Sequence, residues 1–417
     1  MSAPVVTYPE AALLVLEHAR ALRDAADLKR ERADLPAAQG RVLAEAIHAE
    51  RDQPPFDRST RDGYAGRAED LMGRQWLPVA GSLRAGSPQA VSPLPPGQVL
   101  EIMTGAPAPA QADCVAMLEH VERREEDGAI RLQAGRAVRA GQNIVGRGSE
   151  ARRGAVVLEA GLRLEPQHIA AAAACGAADV DVYTRPRVAI LPTGDELVEL
   201  NAPMEPYQIR NSNSYSLAAQ VRSAGGDARR LPVARDERAH VRAMIERAIE
   251  DADMLLLSGG VSAGKYDLVE ETLLSMGAEF VFTGVAMQPG KPVVFGHVPA
   301  GSGGRRIPLF GLPGNPVSTM VTFLLFAAPM MRALGGEIAI EAKFAQARLL
   351  RELATQTGLT RFLPARLSGG WEGAAVERIA WQGSGDLAAT ARANCFVVIP
   401  PDVTELSTGA TVSVLLA

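Results

Sequence analysis

Hydrophobic positions change their period twice along this chain. Through residues 8–27 apolar side chains recur at helical spacing (Ala12, Leu13, Leu16, Ala19, Leu22) behind Pro9, and a second helix is predicted over 35–47 with Pro36 in its first turn. From Arg51 to Gly148 the pattern shortens to alternating runs broken by Pro and Gly, such as 77–81 and 99–103, which predicts a small all-β module. Residues 156–183 return to strand and Ala-rich helix, with a helix stop at Gly176. The module over 51–148 therefore reads as an insertion into an α+β domain made of 1–50 and 149–184.

The strongest fold signal begins at Arg185. Short apolar runs at 188–191, 228–233, 254–257 and 307–310 alternate with helical patterns at 214–224, 239–251, 268–276 and from Val317 onward, with further extended segments at 280–286 and 292–297. Repeated βα units of this length predict a doubly wound, mostly parallel sheet over 185–335. After Gly335 the short runs at 361–367 and 395–399 predict a small C-terminal β-barrel over 340–417. The expected architecture is multidomain α/β, as the length of 417 residues requires when single cores seldom exceed ~250 residues.

In a parallel sheet all strand C-terminal ends share one edge, and open α/β sheets bind ligands there. The run 254–257 enters Ser258, Gly259, Gly260, Val261, Ser262, with Lys265 and Asp267 just beyond, which reads as a phosphate and metal loop. Residues 259–265 also fit the first seven positions of a nucleotide P-loop, but Tyr266 stands where that motif needs a Ser or Thr hydroxyl for Mg²⁺. An ordinary glycine-rich βα loop is the plainer alternative. Thr193, Gly194, Asp195 and Glu196 follow one strand, Asp236 another, and Pro313, Gly314, Asn315, Pro316 and Ser318 a third. Glu196, Asp236 and Asp267 are thus expected to meet the glycine loop, which suits a Mg²⁺-bridged phosphate ester. Each carboxylate alone would sooner be a cap or a solvated group. Pro289, Gly290 and Pro292 stiffen a turn that aims Lys291, as an oxyanion requires, although a braced connection explains the same residues. In the β module, Asp62 and Thr104 lie in Asp-Gly and Thr-Gly segments that are ordinary turn chemistry. In the barrel the loop Gln382 to Asp386 and the fixed charge of Arg366 stand out.

Composition narrows the partners. Net charge is -5 and aromatics are 5%, which gives no reason to expect nucleic acid. Three scattered cysteines and six scattered histidines predict neither a disulfide framework nor a zinc site. A basic, apolar leader is not seen at the N-terminus, and the longest apolar stretch, 321–331, is too short for a membrane span, so a cytoplasmic protein is expected.

Together the motifs DGYA at 62–65, MTGAP at 103–107, GQNI at 141–144, PTGDEL at 192–197, RNSNS at 210–214, SGGVS at 258–262, PGKP at 289–292 and GLPGNP at 311–316 resemble the MoeA family of molybdopterin molybdenumtransferases, related to the gephyrin C-terminal domain. The resemblance spans essentially the whole chain. It implies that adenylyl-molybdopterin and molybdate are the substrates, that the metal is inserted at the dithiolene with Mg²⁺ help, and that AMP is released. It further implies an elongated homodimer whose cleft is completed by the partner subunit's β module, giving Asp62, Thr104 and the region of Glu150 a role. Glu196, Asp236 and Asp267 would bind Mg²⁺ or orient the phosphate. Ser258 to Ser262 and Asn315 would hold the pterin and its phosphate, and Lys291, Arg366 and Ser384 the molybdate. Two departures stand out: Gln288 where many relatives carry lysine, and Glu150 where aspartate is usual.

Three rival readings follow from the same α/β domain. A molybdopterin adenylyltransferase, which could also be a partner of this chain, would not need Arg366 and the 382–386 loop. A scaffold protein would not need three carboxylates at one sheet edge. A pterin amidase of the competence-protein type would need a nucleophile and base, and no such pair stands out in the C-terminal region.

Overall fold

The computed structural model describes residues 4–86, 94–260, 268–301 and 304–417. Ser262 and Asp267 lie outside the described residues.

The centre is a six-stranded sheet built from Arg187–Pro192 (β1), Asp227–Arg230 (β2), Met254–Ser258 (β3), Glu279–Phe282 (β4), Val294–Pro299 (β5) and Arg306–Leu312 (β6), in the order β2-β1-β3-β6-β5-β4. The pairs β2/β1, β1/β3 and β3/β6 are parallel, whereas β6/β5 and β5/β4 are antiparallel. Alternate residues of each strand serve opposite faces, as the pleat dictates. Val188, Ile190, Met254, Leu256 and Phe310 enter a core shared with helices Tyr8–Ala25, Ser212–Ser223 and Pro316–Thr322. Ala189, Leu191, Leu255, Leu257 and Leu309 enter a second core under Arg238–Ile249 and Leu268–Ser275. Every residue of β3 is buried, which is why its apolar run is continuous and does not alternate.

The expected extended run 280–286 divides. Glu279–Phe282 stays in the central sheet, while Gly284–Gln288 leaves it and pairs with Val5–Thr7 on one side and Thr360–Gly370 on the other. This segment stitches the N-terminal strand, the α/β unit and the barrel together. Periodicity reports that a segment is extended, and says nothing of which sheet it joins. The barrel itself closes over five strands: Thr360–Gly370 pairs with Gly373–Arg378 and with Cys395–Ile399, and the circuit is completed through Phe344–Leu349 and Thr411–Leu416. Its interior is filled by Leu349, Leu363, Val376, Val397 and Val414. The multidomain α/β architecture with a doubly wound sheet and a C-terminal barrel is the one expected.

The β module holds the sheet Val79–Leu83, Val99–Ile102, Gly63–Gly66, Cys114–Met117. It is carried on two pairs of strands from either side of it, Ile47–His48 with Val156–Leu158 and Arg30–Asp34 with Asp179–Tyr183. Two expectations near the N-terminus are corrected. The helix predicted over 35–47 is a single 3₁₀ turn, Leu35–Ala38, because Gly40 turns left-handed (φ +74°) and Val42 and Leu43 then bridge to Arg163 and Val182. The first helix, Tyr8–Ala25, packs through Ala11, Val15 and Ala19 into the α/β core, so residues 1–50 are divided between two packing units. The apolar run seen at 321–331 belongs to a longer helical stretch, Pro316–Leu334, 19 residues, which is long and apolar enough to cross a membrane. Its most apolar window is 78% buried inside the protein, as expected of a core helix.

Candidate active site at the carboxyl edge of the sheet

Three strand ends are tied directly to one another. The Thr193 amide donates to the Ser258 carbonyl (3.0 Å), the Gly259 amide to the Leu312 carbonyl (3.2 Å), and the Asn213 amide nitrogen to both Ser258 Oγ (3.0 Å) and the Gly314 carbonyl (2.7 Å). A fourth link joins the barrel to this edge: Asn315 Nδ2 donates to Ser384 Oγ (2.8 Å) and the Val317 amide to the Ser384 carbonyl (3.0 Å). Gly259 and Gly260 have φ of +94° and +64°. A Cβ on Gly259 would sit 2.6 Å from the Thr193 carbonyl oxygen, and one on Gly260 2.7 Å from Thr193 Oγ1. Close packing between neighbouring strand ends, as well as access for a ligand, therefore requires both glycines.

These elements enclose a cavity of about 970 Å³ between the sheet edge and the barrel. Its wall takes Thr193, Gly194 and Glu196 from the end of β1, Asp236 from the loop after β2, and Ser258, Gly259 and Gly260 from the end of β3. Pro313, Gly314, Asn315 and Ser318 close it from β6 and the following helix, Pro289, Gly290 and Lys291 from the braced turn, and Gly383 and Ser384 from the barrel. The braced turn is rigid: the Val285 amide donates to the Lys291 carbonyl (2.9 Å), and Gly290 (φ +110°) lies so close to helix Pro316–Thr322 that a Cβ would be 2.6 Å from Thr322 Cγ2.

The electrostatics of the wall are mixed. Among the described lining residues the charges are Glu196, Asp236, Glu271 and Lys291. Glu271 is paired with Arg238, leaving Glu196 and Asp236 as acidic groups with no ion-pair partner among the described residues. Two polar atoms on the floor, Thr193 Oγ1 and Asn213 Oδ1, are buried without a hydrogen-bond partner among the described residues. The Asn213 amide cannot be turned to relieve this, because the Gly314 carbonyl it faces only accepts. A fold that leaves such atoms unpaired bears their desolvation cost, and a polar site is the usual reason. Among the described residues no three His, Cys, Asp or Glu side chains form a metal cage. The donor set on this rim is two hard carboxylates, which is how Mg²⁺ is usually held when substrate phosphates and water supply the rest.

Several candidates do not line the cavity. Asp195 lies behind it, its Oδ1 accepting from the Asp236 amide (3.2 Å), so it positions the loop that carries Asp236. Pro316 is the first residue of helix Pro316–Thr322 and serves to start it. Arg366 is exposed on barrel strand Thr360–Gly370, opposite Glu377, and does not reach the wall. Asp62 and Thr104 sit in the β module and satisfy each other: Asp62 Oδ1 accepts from the Thr104 amide (2.6 Å) and hydroxyl (2.7 Å), and these bonds hold the carboxyl below the usual carboxylate range. Glu150 pairs with Arg58 (2.8 Å). Asp386 caps the short helix Leu387–Thr390 through the Ala389 amide (2.9 Å), which shapes the loop carrying Ser384.

Sequence reasoning placed Asn213 in the RNSNS motif without giving it a role, and passed over Glu271 and Trp381. Asn213 stands two residues after Asn211, which caps helix Ser212–Ser223, so the pair reads as capping chemistry until the fold turns the second one inward. Glu271 lies inside the helix predicted over 268–276. Trp381 directly precedes the loop already singled out, and the closeness of a large aromatic to Gln382 was the available signal.

Three family models match successive parts of the chain: the MoeA N-terminal region (domain I and II) over residues 6–176, a probable molybdopterin binding domain over 189–333, and the MoeA C-terminal region (domain IV) over 346–417. The molybdopterin molybdenumtransferase 2 of Mycobacterium tuberculosis is 37% identical over 387 residues, covering 90% of this chain and 92% of the relative. The molybdopterin molybdenumtransferase of Bacillus subtilis is 33% identical over 381 residues, covering 90% and 87%. Among solved structures, the molybdopterin biosynthesis MoeA protein of Pyrococcus horikoshii superposes with a TM-score of 0.77 at 30% identity, covering 99% of this chain and 100% of that one.

Proposed function

This chain belongs to the MoeA family and is a transferase of molybdenum cofactor biosynthesis, and from that premise we propose that it inserts molybdate into adenylyl-molybdopterin and releases AMP. The observation that carries the reading is the meeting of unpaired carboxylates, an aimed lysine, glycine-rich strand ends and a barrel serine in one cavity. An anionic, phosphate-bearing substrate would not settle beside Glu196 and Asp236 without a cation, so Mg²⁺ held by these two carboxylates would supply the charge neutralisation the phosphate needs. The rest is positioning. Gly259, Gly260 and Gly314 let the pterin and its phosphate approach the backbone, while Thr193 Oγ1 and Asn213 Oδ1 supply polar partners on the floor. Lys291 and Ser384 face the same space and hold the molybdate oxyanion, one as a point charge and the other as a hydroxyl donor. Ser262 and Asp267 follow β3 in the sequence, outside the described residues, and are assigned to substrate and Mg²⁺ respectively. With Gln288 beside Lys291, this oxyanion pocket has one formal charge fewer than a pair of lysines would give.

Asp62 and Thr104 are not among the described residues that line the sheet-edge cavity of their own chain. We assign them to the cleft of a second copy, in a homodimer whose β module completes the site of its partner, with a molybdopterin adenylyltransferase as the supplier of substrate. The reaction is assigned to the cytoplasm. The test is to mix purified protein with adenylyl-molybdopterin, Mg²⁺ and molybdate and to follow AMP. Molybdate-dependent release that Asp236→Asn loses supports insertion. Tight binding of the nucleotide with no release, in wild type and variant alike, replaces the proposal with a binding or scaffold role.

A further inference from the structure

Flat side chains are scarce around the sheet-edge cavity: Trp381 is the one aromatic among the described residues that line it. The indole is half-buried, and it packs against the core of the α/β unit and that of the barrel while it also lines the cavity. Contact with two close-packed cores restricts the ring, so the surface it offers is in place before a ligand arrives. The loop that follows is held as firmly. The Gln382 amide donates to Asp386 Oδ2 (3.0 Å), and the two bonds of Ser384, to Asn315 and to the Val317 amide, tie the loop to the sheet edge.

The order of the strands indicates which end of the substrate comes here. In the run β2-β1-β3-β6, Glu196 and Asp236 stand at the β1 and β2 end, and the barrel is tied to the residues that follow β6. The substrate assigned above is itself a linear arrangement of adenosine, two phosphates, a dithiolene and a pterin. With the phosphates at the carboxylates and the dithiolene beside Lys291 and Ser384, the pterin falls on the barrel side, where Trp381 stands, and the adenine at the opposite end. Glu196, Asp236 and Lys291 answer the phosphates and the oxyanion, and they leave the flat ring to be recognised by something else.

Resting on the reading of the site given above, we propose that Trp381 is the platform on which the pterin ring of the substrate stacks. A flat heteroaromatic ring on an indole gains apolar burial together with a favourable offset arrangement of the two π-systems. Trp381 is three residues before Ser384, so the same short loop holds the ring by its face and the oxyanion by a hydroxyl. The stack fixes the pterin, and through it the dithiolene, without taking part in the transfer itself.

Adenylyl-molybdopterin and AMP, titrated calorimetrically into the full-length protein, separate the two rings. Trp381→Phe, which keeps a flat ring, should bind adenylyl-molybdopterin within about threefold of wild type, and Trp381→Leu, apolar but not flat, at least about tenfold more weakly. AMP should bind all three proteins alike. In the release assay the leucine variant should show a KM raised by a similar factor with kcat within about twofold. A second measurement leaves Trp381 untouched. Trp76 lies between Arg124 and Arg131 in the β module (5.0 and 4.5 Å) and Trp371 is 95% exposed at the end of a barrel hairpin, so changing both to Phe makes Trp381 the sole tryptophan. Its fluorescence should lose accessibility to acrylamide when adenylyl-molybdopterin binds and keep it when AMP binds. Wild-type affinity in Trp381→Leu, an equal loss for AMP, or unchanged acrylamide quenching in the saturated sole-tryptophan protein would each overturn the stacking role. Failure of the insertion reading shows separately, as no molybdate-dependent AMP release by the wild type, and an absence of adenylyl-molybdopterin binding would remove both.

Discussion

The edge of the central sheet and the Asp62–Thr104 corner of the β module both collect reactive side chains, but they differ in whether those side chains are satisfied. In the module, one carboxylate oxygen of the exposed Asp62 takes both the amide and the hydroxyl of Thr104. At the sheet edge, residues from four strand ends, the braced turn and the barrel surround open space, and Thr193 Oγ1 and Asn213 Oδ1 have no partner among the described residues. A satisfied corner is complete as structure and can act only on something brought to it. An unsatisfied floor is incomplete until a ligand arrives. The same distinction separates an internal turn from a binding site wherever Asp, Thr and Gly occur together.

The sharpest way to break this contrast is to remove charge from the open site. Asp236→Asn and Lys291→Ala should each lower molybdate-dependent AMP release by about 10²–10³-fold with the melting temperature nearly unchanged, since a group acting on developing charge is worth that much. A loss of stability in place of activity would make them structural. The module can be tested by complementation. Asp62→Ala and Asp236→Asn, each inactive alone, should regain about a quarter of wild-type activity when their subunits are exchanged in equal amounts, because half the dimers are then mixed and each mixed dimer holds one intact site. No recovery would remove Asp62 from a partner's cleft.

A smaller effect probes the scaffold that aims Lys291. Gly290→Ala combines an unfavourable φ of +110° with a Cβ 2.6 Å from Thr322, and should cost about 2–3 kcal/mol in chemical denaturation, reducing activity with it. Gly383→Ala, where no neighbour lies within 4 Å, should be milder.

The unpaired floor itself makes an opposite prediction for stability and binding. Thr193→Val removes a buried hydroxyl that has no partner, so the ligand-free protein should be unchanged or gain up to about 1 kcal/mol, while substrate affinity falls about tenfold. If both properties fall together, Thr193 Oγ1 is satisfied in solution and the contrast with the module fails.

Acid provides the mildest probe and reports on the back of the sheet. His297 on β5 stacks on His18 of the first helix (5.1 Å, 28°), with Arg306 beside it, and burial followed by these two neighbours lowers its pKa to about 4 from 6.5. The unfolded chain therefore binds more protons between these values, so the stability is fully present above pH 6.5 and is lost as pH falls toward 4. Allowing for the ring's partial exposure, the loss should be on the order of 1–2 kcal/mol. His297→Gln should flatten that part of the stability profile, read by urea unfolding at a series of pH values.

The residues named in the sequence and those at the site overlap because strand ends in a parallel sheet must share an edge. Once β1, β3 and β6 were recognised from their apolar runs, Thr193, Ser258 and Asn315 were bound to be neighbours despite lying 122 residues apart from first to last. Asn213 received no role, and Glu271 and Trp381 escaped, because a polar residue on a helix or an aromatic at a loop carries no mark of which way it faces. Arg366 was drawn toward the site by resemblance, and its strand carries it outward.

What the sequence determined by itself was local and periodic: the buried strand β3, the helices that flank it, the glycines at strand ends and the order of motifs along the chain. These follow from backbone sterics and from the alternation of apolar positions, which need only near neighbours. Tertiary structure alone decided that Gly284–Gln288 leaves the central sheet to join the N-terminal strand to the barrel, that the first helix packs on the α/β core, and that Ser384 comes within a hydrogen bond of Asn315. Those outcomes depend on which apolar faces find each other across long stretches of chain, and a one-dimensional pattern records the faces without their partners.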